Sequence, residues 1–338
     1  MAVPPAHAET RLSAGPRILV LRRDNIGDLA CTTPLLDALR AQLPQAWIGA
    51  VATTYNAEVL ARNPALDAVF AYEKLKHRTR PLFAYLRGRL QLAARLRKER
   101  LDYVLVPAPA RQALQLARSF RPGQVIAADV SPAAGRHEVE RTFELGRALG
   151  VRGSPGPMRV FPDPKVLTRL RGRVGAGPML AVHLSARRPA QRWPFERYAA
   201  LVRELGREAG VLLLWAPGAR GDPRHPGDDD AAAQVAALAK GPNVVALPTP
   251  DLATLIGALS LAERVVCPDG GAMHLAAALG KPVIALFGDS PVERWRPWGV
   301  PHRVLRPDSG NLADLPLGPV LDACLELARP GEAENRRE

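Results

Sequence analysis

Short apolar runs alternate along this chain with longer segments in which apolar residues recur at helical spacing. The first run, 17–22 (RILVLR), predicts a buried strand, and a turn at 25–28 leads into a helix over 32–42. Further strands are predicted at 47–52, 68–71, 103–106, 125–127, 179–184, 211–215, 244–246, 264–267 and 283–287, and further helices at 57–62, 138–149, 165–173, 195–208, 231–238, 252–260, 273–279 and 319–328. Strands that alternate with helices are typical of parallel sheets with crossover helices on both faces, so the pattern predicts an α/β protein.

A segment rich in proline and glycine divides this pattern into two halves. Residues 153–164 read GSPGPMRVFPDP, which is typical of a linker. Because 338 residues exceed what one ordinary core holds, we expect two domains, each a doubly wound parallel sheet of Rossmann-like type. The first would span 17–152 and the second 165–328, with a disordered start at 1–16 and a polar tail at 329–338.

The composition indicates a protein that can fill two cores and remain in solution. Hydrophobic residues make up 47% of the chain, no run approaches the roughly 18 apolar residues of a membrane span, and the first residues lack an apolar signal core. We therefore expect a cytoplasmic protein. Its cysteines, Cys31, Cys267 and Cys324, are odd in number and far apart, which favours reduced, buried thiols over disulfides or a structural metal site.

The formal net charge of +13 indicates a polyanionic partner, and the positive charge is concentrated between residues 74 and 100. This segment holds ten lysines or arginines and a single acid, Glu99. Apolar residues recur within it at helical spacing, at Leu82, Phe83, Leu86, Leu90, Ala93 and Ala94. The spacing predicts a basic amphipathic helix that packs this stripe inward and presents its cations outward, either to an anionic membrane surface or only to solvent.

A turn in the second half has the composition of a phosphate-binding site. The strand predicted at 264–267 is followed by Asp269, Gly270 and Gly271, and then directly by a helix. Adjacent glycines let the backbone turn sharply and approach a ligand, and the free N–H groups at a helix start favour an anion. From these residues alone, a glycine pair that only makes a tight turn remains an alternative.

A carboxylate lies at a corresponding place in the first half. Gly27 and Asp28 follow the first predicted strand, at the carboxyl end of the sheet, where open α/β sheets place their ligands. A carboxylate at this place would face a ligand, which is one interpretation of Asp28. The chemistry of the residue alone favours the more frequent role of an aspartate at a helix start, which is to cap the helix.

Three segments, in chain order, resemble the signatures of the family 9 glycosyltransferases, the bacterial lipopolysaccharide heptosyltransferases. The N-terminal signature matches at Arg22, Ile26, Gly27, Asp28, Thr32, Thr33 and Pro34. A central signature matches at Ser185, Trp193, Pro194, Tyr198 and Leu201. The C-terminal signature matches at Asp269, Gly270, Gly271, His274, Ala277, Ala278, Phe287, Gly288, Ser290, Trp295, Pro297, Trp298 and Gly299.

The resemblance implies the GT-B fold, in which two doubly wound, Rossmann-like domains face each other across a cleft. The N-terminal domain would hold the acceptor through Gly27 and Thr33, with Asp28 as catalytic base of an inverting transfer that needs neither metal nor cofactor. A pKa raised toward neutrality would suit Asp28 for that task. The C-terminal domain would bind a nucleotide-sugar donor through Ser185, Arg187, Gln191, Arg192, Asp222, Asp269, Gly270, Gly271, Met273 and His274.

Charge in the predicted donor region departs from the family pattern. The family usually has a lysine at the position of Gln191 to hold the donor phosphates, and an amide carries no charge. A nearby arginine would then have to supply the cation, and the sequence offers Arg187, Arg188 and Arg192. The acidic run 228–230 resembles a set of metal ligands, but its place at the start of a predicted helix favours a role opposite the helix dipole.

As a function, the resemblance implies transfer of heptose from ADP-heptose to the inner core of lipopolysaccharide by a monomeric enzyme. Its partners would be the nucleotide sugar, the anionic lipid-linked acceptor and, through the basic helix, the cytosolic face of the inner membrane. A family 9 transferase with another nucleotide-sugar donor remains an alternative. A nucleic-acid-binding protein would also explain the charge, but the sequence shows no such module, and no Gly-x-Gly-x-x-Gly follows a predicted strand as a nicotinamide-dependent oxidoreductase or an epimerase would require.

Overall fold

The computed structural model describes residues 15–74, 81–129, 135–174, 177, 179–222 and 226–327. The chain forms two compact units, Met1–Gly156 and Pro157–Glu338, and the boundary between them falls inside the range predicted as a linker. The predicted disordered start, apart from residues 15 and 16, and the predicted polar tail lie outside the described residues.

The described part of unit 1 is built on one sheet of parallel strands, β1 (Arg17–Leu21), β2 (Trp47–Thr53), β3 (Ala68–Tyr72), β4 (Tyr103–Val106) and β5 (Gln124–Ala127). The strand order is β3-β2-β1-β4-β5, so the order reverses between β1 and β4. The helices of this unit are α1 (Ile26–Ala30), α2 (Thr33–Gln42), α3 (Leu82–Lys98), α4 (Arg111–Ser119) and α5 (Glu138–Phe143). The reversal places the carboxyl end of β1 at the crevice where such sheets bind ligands.

Unit 2 contains a second parallel sheet, formed in the described residues by β6 (Met179–His183), β7 (Gly210–Trp215), β8 (Val244–Pro248), β9 (Arg264–Pro268), β10 (Val283–Leu286) and β11 (His302–Leu305). Its order, β11-β10-β9-β6-β7-β8, reverses between β9 and β6. The helices are α6 (Pro164–Val174), α7 (Phe195–Leu205), α8 (Asp229–Leu238), α9 (Leu252–Leu261), α10 (Gly271–Ala278), α11 (Val292–Trp295) and α12 (Leu317–Glu326).

Each sheet is buried by its helices, which explains the nearly continuous apolar character of the central strands. In unit 1, Leu19 and Leu21 of β1 pack in one cluster with Phe70, Leu96 and Phe120. In unit 2, helix α7 packs against α8 and α12, and α9 packs against α6 and α10. The two parallel sheets with alternating helices confirm the predicted α/β class.

Several predicted elements differ from those observed. The helix predicted at 32–42 is observed as α2, whereas the segment predicted as a turn at 25–28 falls largely in the short helix α1. The helix predicted at 57–62 is a 3₁₀ turn, Ala57–Leu60, and the one at 138–149 continues beyond α5 as a 3₁₀ helix, Glu144–Leu149. The helices α4 and α11 and the strand β11 were not predicted. The strand β11 is half-exposed at the edge of its sheet, so it lacks the apolar run that marks the central strands.

The inner face predicted for the basic helix α3 was wrong for most of its residues, and of those described only Ala93 is buried. Phe83, Leu86 and Leu90, which the spacing placed on the inner face, are 76%, 48% and 72% exposed. The buried residues of α3 are Tyr85, Leu92, Ala93 and Leu96. Both sets recur at helical spacing, so periodicity alone could not decide which of them faces the core. The part of the basic segment at 75–80 and the side chain of Leu82 lie outside the described residues.

Cys31, Cys267 and Cys324 are all buried, and none of the three forms a disulfide. Within the described ranges, no helix combines the length and the apolar character that crossing a bilayer requires.

Candidate functional site

The carboxyl end of β1 carries a buried arginine surrounded by carboxylates. Arg22 is 2% exposed and its Nη2 donates to Asp28 Oδ1 at 2.7 Å and to Glu138 Oε1 at 2.8 Å. Its Nε lies 3.0 Å from Asp24 Oδ2, and its Nη1 donates to Thr142 Oγ1 at 3.2 Å. We call Arg22, Asp24, Asp28 and Glu138 the Arg22 cluster. One guanidinium thus faces three carboxylates at the switch point of the sheet.

Asp28 is buried within α1 and is held as a carboxylate. Its Oδ2 accepts hydrogen bonds from the backbone N–H of Asn25 at 3.1 Å and from Asn25 Nδ2 at 3.0 Å. Burial alone would raise the pKa of this carboxyl, but the Arg22 guanidinium and the donors of Asn25 outweigh burial and hold the pKa below its usual range. The raised pKa that would suit a general base is therefore not what this environment produces. Asp28 also satisfies a backbone N–H at the start of α1, as the capping alternative predicts.

The two residues predicted to lie on the acceptor side are buried beside Asp28. The carbonyl of Gly27 accepts the N–H of Cys31 at 2.9 Å, and Thr33 Oγ1 donates to the carbonyl of Ala30 at 2.8 Å. These bonds hold the short helix α1 against the start of α2. Contact of Gly27 and Thr33 with an acceptor stays a prediction.

Two members of the Arg22 cluster were missed from the sequence. Glu138 lies 116 residues from Arg22 and comes to it only because α5 packs against α2. Asp24 lies in the loop after β1, and burial raises its pKa even though Arg22 opposes that shift. An acidic residue directly at the start of a predicted helix was the available signal for Glu138, and by itself it indicates only a favourable interaction with the helix dipole.

In unit 2, a buried amide joins the loop after β6 to the residue that follows β9. Gln191 Nε2 donates to Asp269 Oδ2 at 2.7 Å and to Ser290 Oγ at 2.8 Å, and the side chains of all three are buried. Burial raises the pKa of Asp269, while the bond from Ser290 and the charge of Arg188 lower it by less. The sheet order reverses between β6 and β9, so these residues lie at the switch point of the second sheet.

The turn after β9 has the backbone that its glycines predict. Gly270 has φ 159° and ψ −166°, a conformation that residues with a Cβ rarely adopt, and α10 begins at Gly271. The side chain of Met273 is fully buried, so only its backbone can face a ligand. The ring of His274 packs edge-on against Trp295, with 5.9 Å between the ring centres.

The three arginines near Gln191 have different surroundings. Arg188 Nη1 donates to Ser290 Oγ at 3.3 Å and its Nη2 pairs with Asp289. Arg192 Nε donates to the carbonyl of Ala186 at 2.9 Å, and Arg187 is exposed. Arg188 is therefore the arginine that lies against the hydroxyl bound by Gln191, and it was named only as one of three alternatives from the sequence.

The remaining predicted donor residues lie around the loop that follows β7. Ser185 Oγ accepts the backbone N–H of Ala216 at 2.9 Å, and Asp222 closes a turn by donating its N–H to the carbonyl of Ala219 at 3.1 Å. Asp229, in the first turn of α8, accepts bonds from Trp215 Nε1 at 2.8 Å and from the N–H of Gly218 at 2.9 Å. Asp229 thus fastens this loop to the start of a helix.

A cavity of about 460 Å³ lies at the N-terminal ends of α7 and α8. Its charged lining consists of Arg192, Arg220, Asp228 and Asp230, and Tyr198 lies at its apolar wall. Within the described residues, Tyr198 Oη and Asp228 Oδ2 are buried there without a hydrogen-bond partner. The volume is within the range of small-molecule pockets.

Comparison with known proteins identifies the family. The model of glycosyltransferase family 9 (heptosyltransferase) matches residues 111–317, which is more than half of the chain. The chain belongs to glycosyltransferase family 9. As a family 9 protein it is a glycosyltransferase, and the recognition of the family from the three signatures is confirmed.

Relatives of this family 9 enzyme are similar over most of their length. It is 24% identical over 317 residues to lipopolysaccharide heptosyltransferase 3 of Escherichia coli, covering 86% of this chain and 88% of the relative. It is 25% identical over 314 residues to lipopolysaccharide heptosyltransferase 2 of Salmonella typhimurium strain LT2, with the same two coverages.

Solved structures show the same fold. The ADP-heptose lipopolysaccharide heptosyltransferase II of E. coli matches with a TM-score of 0.75 at 22% identity, over 92% of this chain and 98% of that one. The E. coli heptosyltransferase WaaC with ADP matches with a TM-score of 0.72 at 20% identity, over 92% of this chain and 100% of that one. The predicted GT-B fold is confirmed.

Gly288, a residue of the C-terminal signature, gives a first testable prediction. A Cβ on Gly288 would lie 2.2 Å from the carbonyl oxygen of Ala190, the residue before Gln191. Gly288→Ala must therefore displace the backbone that places the Gln191 amide. We expect a loss of about 1–3 kcal/mol in the free energy of unfolding, measured by urea denaturation, as is typical of overpacking.

The matched control for this change is Gly172→Ala. Gly172 lies within α6, and a Cβ there would have nothing within 4 Å. Alanine should raise the free energy of unfolding at this position by about 0.5–1 kcal/mol, because it reduces the freedom of the unfolded chain. Equal stability of Gly288→Ala and wild type would contradict the prediction, because it would show that the backbone around Ala190 can move to accommodate a methyl group without cost.

Proposed function

We propose that this enzyme transfers heptose from ADP-heptose to the inner core of lipopolysaccharide, with inversion at the anomeric carbon and without a metal or other cofactor. The proposal is carried by Asp28, an ionised carboxylate at the ligand-binding edge of the unit 1 sheet, in a chain whose family is described as heptosyltransferase. The names of the relatives at 24% and 25% identity support the acceptor, and those of the solved structures support the donor.

In the proposed reaction, a hydroxyl oxygen of the acceptor sugar attacks the anomeric carbon of the donor. The bond from that carbon to the phosphate oxygen breaks, ADP leaves with the electron pair, and the hydroxyl proton passes to Asp28. The hydroxyl becomes strongly acidic only as the new C–O bond forms, so a carboxylate of low pKa can accept the proton late in the step. Attack from the side opposite the leaving group inverts the anomeric centre.

The leaving nucleotide develops negative charge on its phosphate oxygens. The backbone N–H groups at the start of α10, next to the open turn at Gly270, are fixed donors for this charge. Gln191 is held by Asp269 and Ser290, so we assign it to shaping the turn, and we assign the cationic contact with the diphosphate to Arg188. Contacts of Ser185, Arg187, Arg192, Asp222, Met273 and His274 with the donor remain part of this proposal.

The setting of the reaction is also proposed. Because the acceptor is anionic and anchored in lipid, the enzyme would work at the cytosolic face of the inner membrane. We propose that it does so as a monomer. A different nucleotide-sugar donor is the second candidate, because the neutral Gln191 replaces the cation that the family usually presents to the phosphates.

The test is a transfer assay with purified full-length protein, ADP-heptose and heptose-deficient lipopolysaccharide. We expect the mass of the acceptor to increase by one heptose, the product to have the opposite anomeric configuration by NMR, and the rate to be unchanged by a chelator. Transfer from another nucleotide sugar but not from ADP-heptose would favour the second candidate. Retention of configuration would contradict the role assigned to Asp28.

A further inference from the structure

Helix α3 exposes a continuous apolar stripe to solvent. Phe83, Leu86 and Leu90 are separated by three and four residues, so their side chains lie above one another on one side of the helix. We call these three residues the α3 stripe. Another side of α3 packs into the unit 1 core through Leu92 and Leu96, so the helix is fixed in this orientation.

The α3 stripe stands out from the rest of the surface. Seven large hydrophobic side chains are exposed in the described part of the chain, and three of them belong to the stripe. Phe83 at 76% and Leu90 at 72% are the two most exposed of the seven. Single exposed apolar residues need no explanation, but a row of them along one helix indicates a binding surface.

Positive charge lies directly beside the stripe. The helix contains no acidic residue. Arg87 follows Phe83 by four residues and so lies next to the stripe, and Lys98 lies about two turns beyond Leu90 at the end of the same helix; both side chains are exposed. Neither Arg87 nor Lys98 has a hydrogen-bond or ion-pair partner among the described residues. By contrast, Arg97 donates to the carbonyl of Ser119, and Arg95 lies over the ring of Phe70.

We infer that the α3 stripe, together with Arg87 and Lys98, docks α3 on the surface of an anionic lipid bilayer. An amphipathic helix with an apolar row and basic flanks lies in the plane of the interface, with the apolar side chains below the headgroups and the cations at the anionic phosphates. A second copy of the chain is a poorer occupant, because two such helices would bring their cations together. The inference deepens the membrane contact proposed above and rests on that proposal, but lipid binding can be measured without turnover.

The test is flotation of the full-length protein with vesicles of phosphatidylethanolamine and phosphatidylglycerol, and in parallel with pure phosphatidylcholine. The double variant Phe83→Ser, Leu90→Ser should bind the anionic vesicles at least about 10-fold more weakly than wild type, because each side chain loses its burial in the interface. The double variant Arg87→Gln, Lys98→Gln should lose affinity for the anionic vesicles only, along with the dependence on salt.

Leu238→Ser is the matched control, since Leu238 is 55% exposed on α8 in unit 2 and should leave vesicle binding unchanged. The stripe variants replace exposed side chains, so their urea midpoints should equal that of wild type. Wild-type binding by the stripe variant, or binding indifferent to anionic lipid and salt, would overturn the inference. The inference would also be overturned if wild type formed a dimer in sedimentation velocity, the stripe variant were monomeric, and wild type did not bind vesicles.

A second readout separates this inference from the proposed function. Transfer to a delipidated core oligosaccharide, offered in free solution, should proceed equally with wild type and the stripe variant. Vesicle binding without any heptose transfer would contradict the proposed reaction and leave the docking surface standing. Transfer without vesicle binding would contradict the docking surface alone.

Discussion

Asp28→Asn is expected to lower kcat for heptosyl transfer about 10³-fold, within the range that a general base contributes. Asparagine has nearly the same shape, and its one side-chain oxygen can keep either the bond from Arg22, which now goes to Asp28 Oδ1, or the bonds from Asn25, which now go to Oδ2. It cannot accept a proton at neutral pH. The loss should therefore fall on the chemical step, with KM for the donor changed by less than about 3-fold if donor contacts come from unit 2.

The matched control is Asp24→Asn, which removes another carboxylate facing the same guanidinium. Its charge change is the same, but Asp24 is not assigned to the reaction, so kcat should fall by less than about 10-fold. Full activity of Asp28→Asn would exclude Asp28 as the base. Equal losses in the two variants would assign the effect to the charge of the cluster rather than to proton transfer.

The pH dependence of the wild-type rate offers an independent check. The pKa of Asp28 is lowered, so the carboxylate that accepts the proton is already formed at any pH above its usual range, near about 4. Protonation of Asp28 should therefore cause no loss of kcat/KM between about pH 5 and pH 7. A fall of kcat/KM toward acid pH with an apparent pKa of about 6–7, the range of a base tuned toward neutrality, would contradict the ionisation state that the Arg22 cluster imposes.

The sequence could place residues that lie near strand ends, but it could not reveal contacts that depend on how the helices pack. Gly270 follows the end of β9 closely, and Asp28 lies in the first helix after β1, so motif and strand pattern together placed them at the carboxyl edges of their sheets. The partners of Asp28 could not be found in this way. Glu138 reaches Arg22 through a helix contact across more than a hundred positions, and that contact is the only reason it belongs to the cluster.

Helix α3 and Gln191 show two further features that the sequence alone could not predict. The helix α3 carries two apolar sets at helical spacing, and only the position of the helix on the sheet decides that Leu92 and Leu96 are buried while Leu90 is exposed. For Gln191, the sequence showed the missing charge but not the consequence. The amide is buried against Asp269 and Ser290, so a neutral residue fits the position, and Arg188 donates to the same Ser290 hydroxyl.

Arg22→Met should destabilise the protein by about 3–5 kcal/mol at pH 7, the typical effect of removing one partner from a buried ionic cluster. Methionine has an unbranched apolar side chain that occupies much of the space of the arginine, but it leaves Asp24, Asp28 and Glu138 without the cation that they now share. The free energy of unfolding from urea titrations measures the loss. Arg207→Met is the control, because Arg207 pairs with Glu204 on the exposed surface and should change stability by less than about 1 kcal/mol.

The pH dependence of this loss has a definite sign. In wild type, the pKa of Asp28 is lowered, so its contribution to stability is present above the unfolded pKa near about 4 and is lost as pH falls through the lower folded value. Without Arg22, burial and mutual repulsion would raise the carboxyl pKa values above those of the unfolded chain, and protonation would then relieve the penalty. The difference between Arg22→Met and wild type should accordingly narrow from pH 7 to about pH 5. A difference that stays constant over this range would mean that the loss comes from packing around Arg22 rather than from the three unpaired carboxylates.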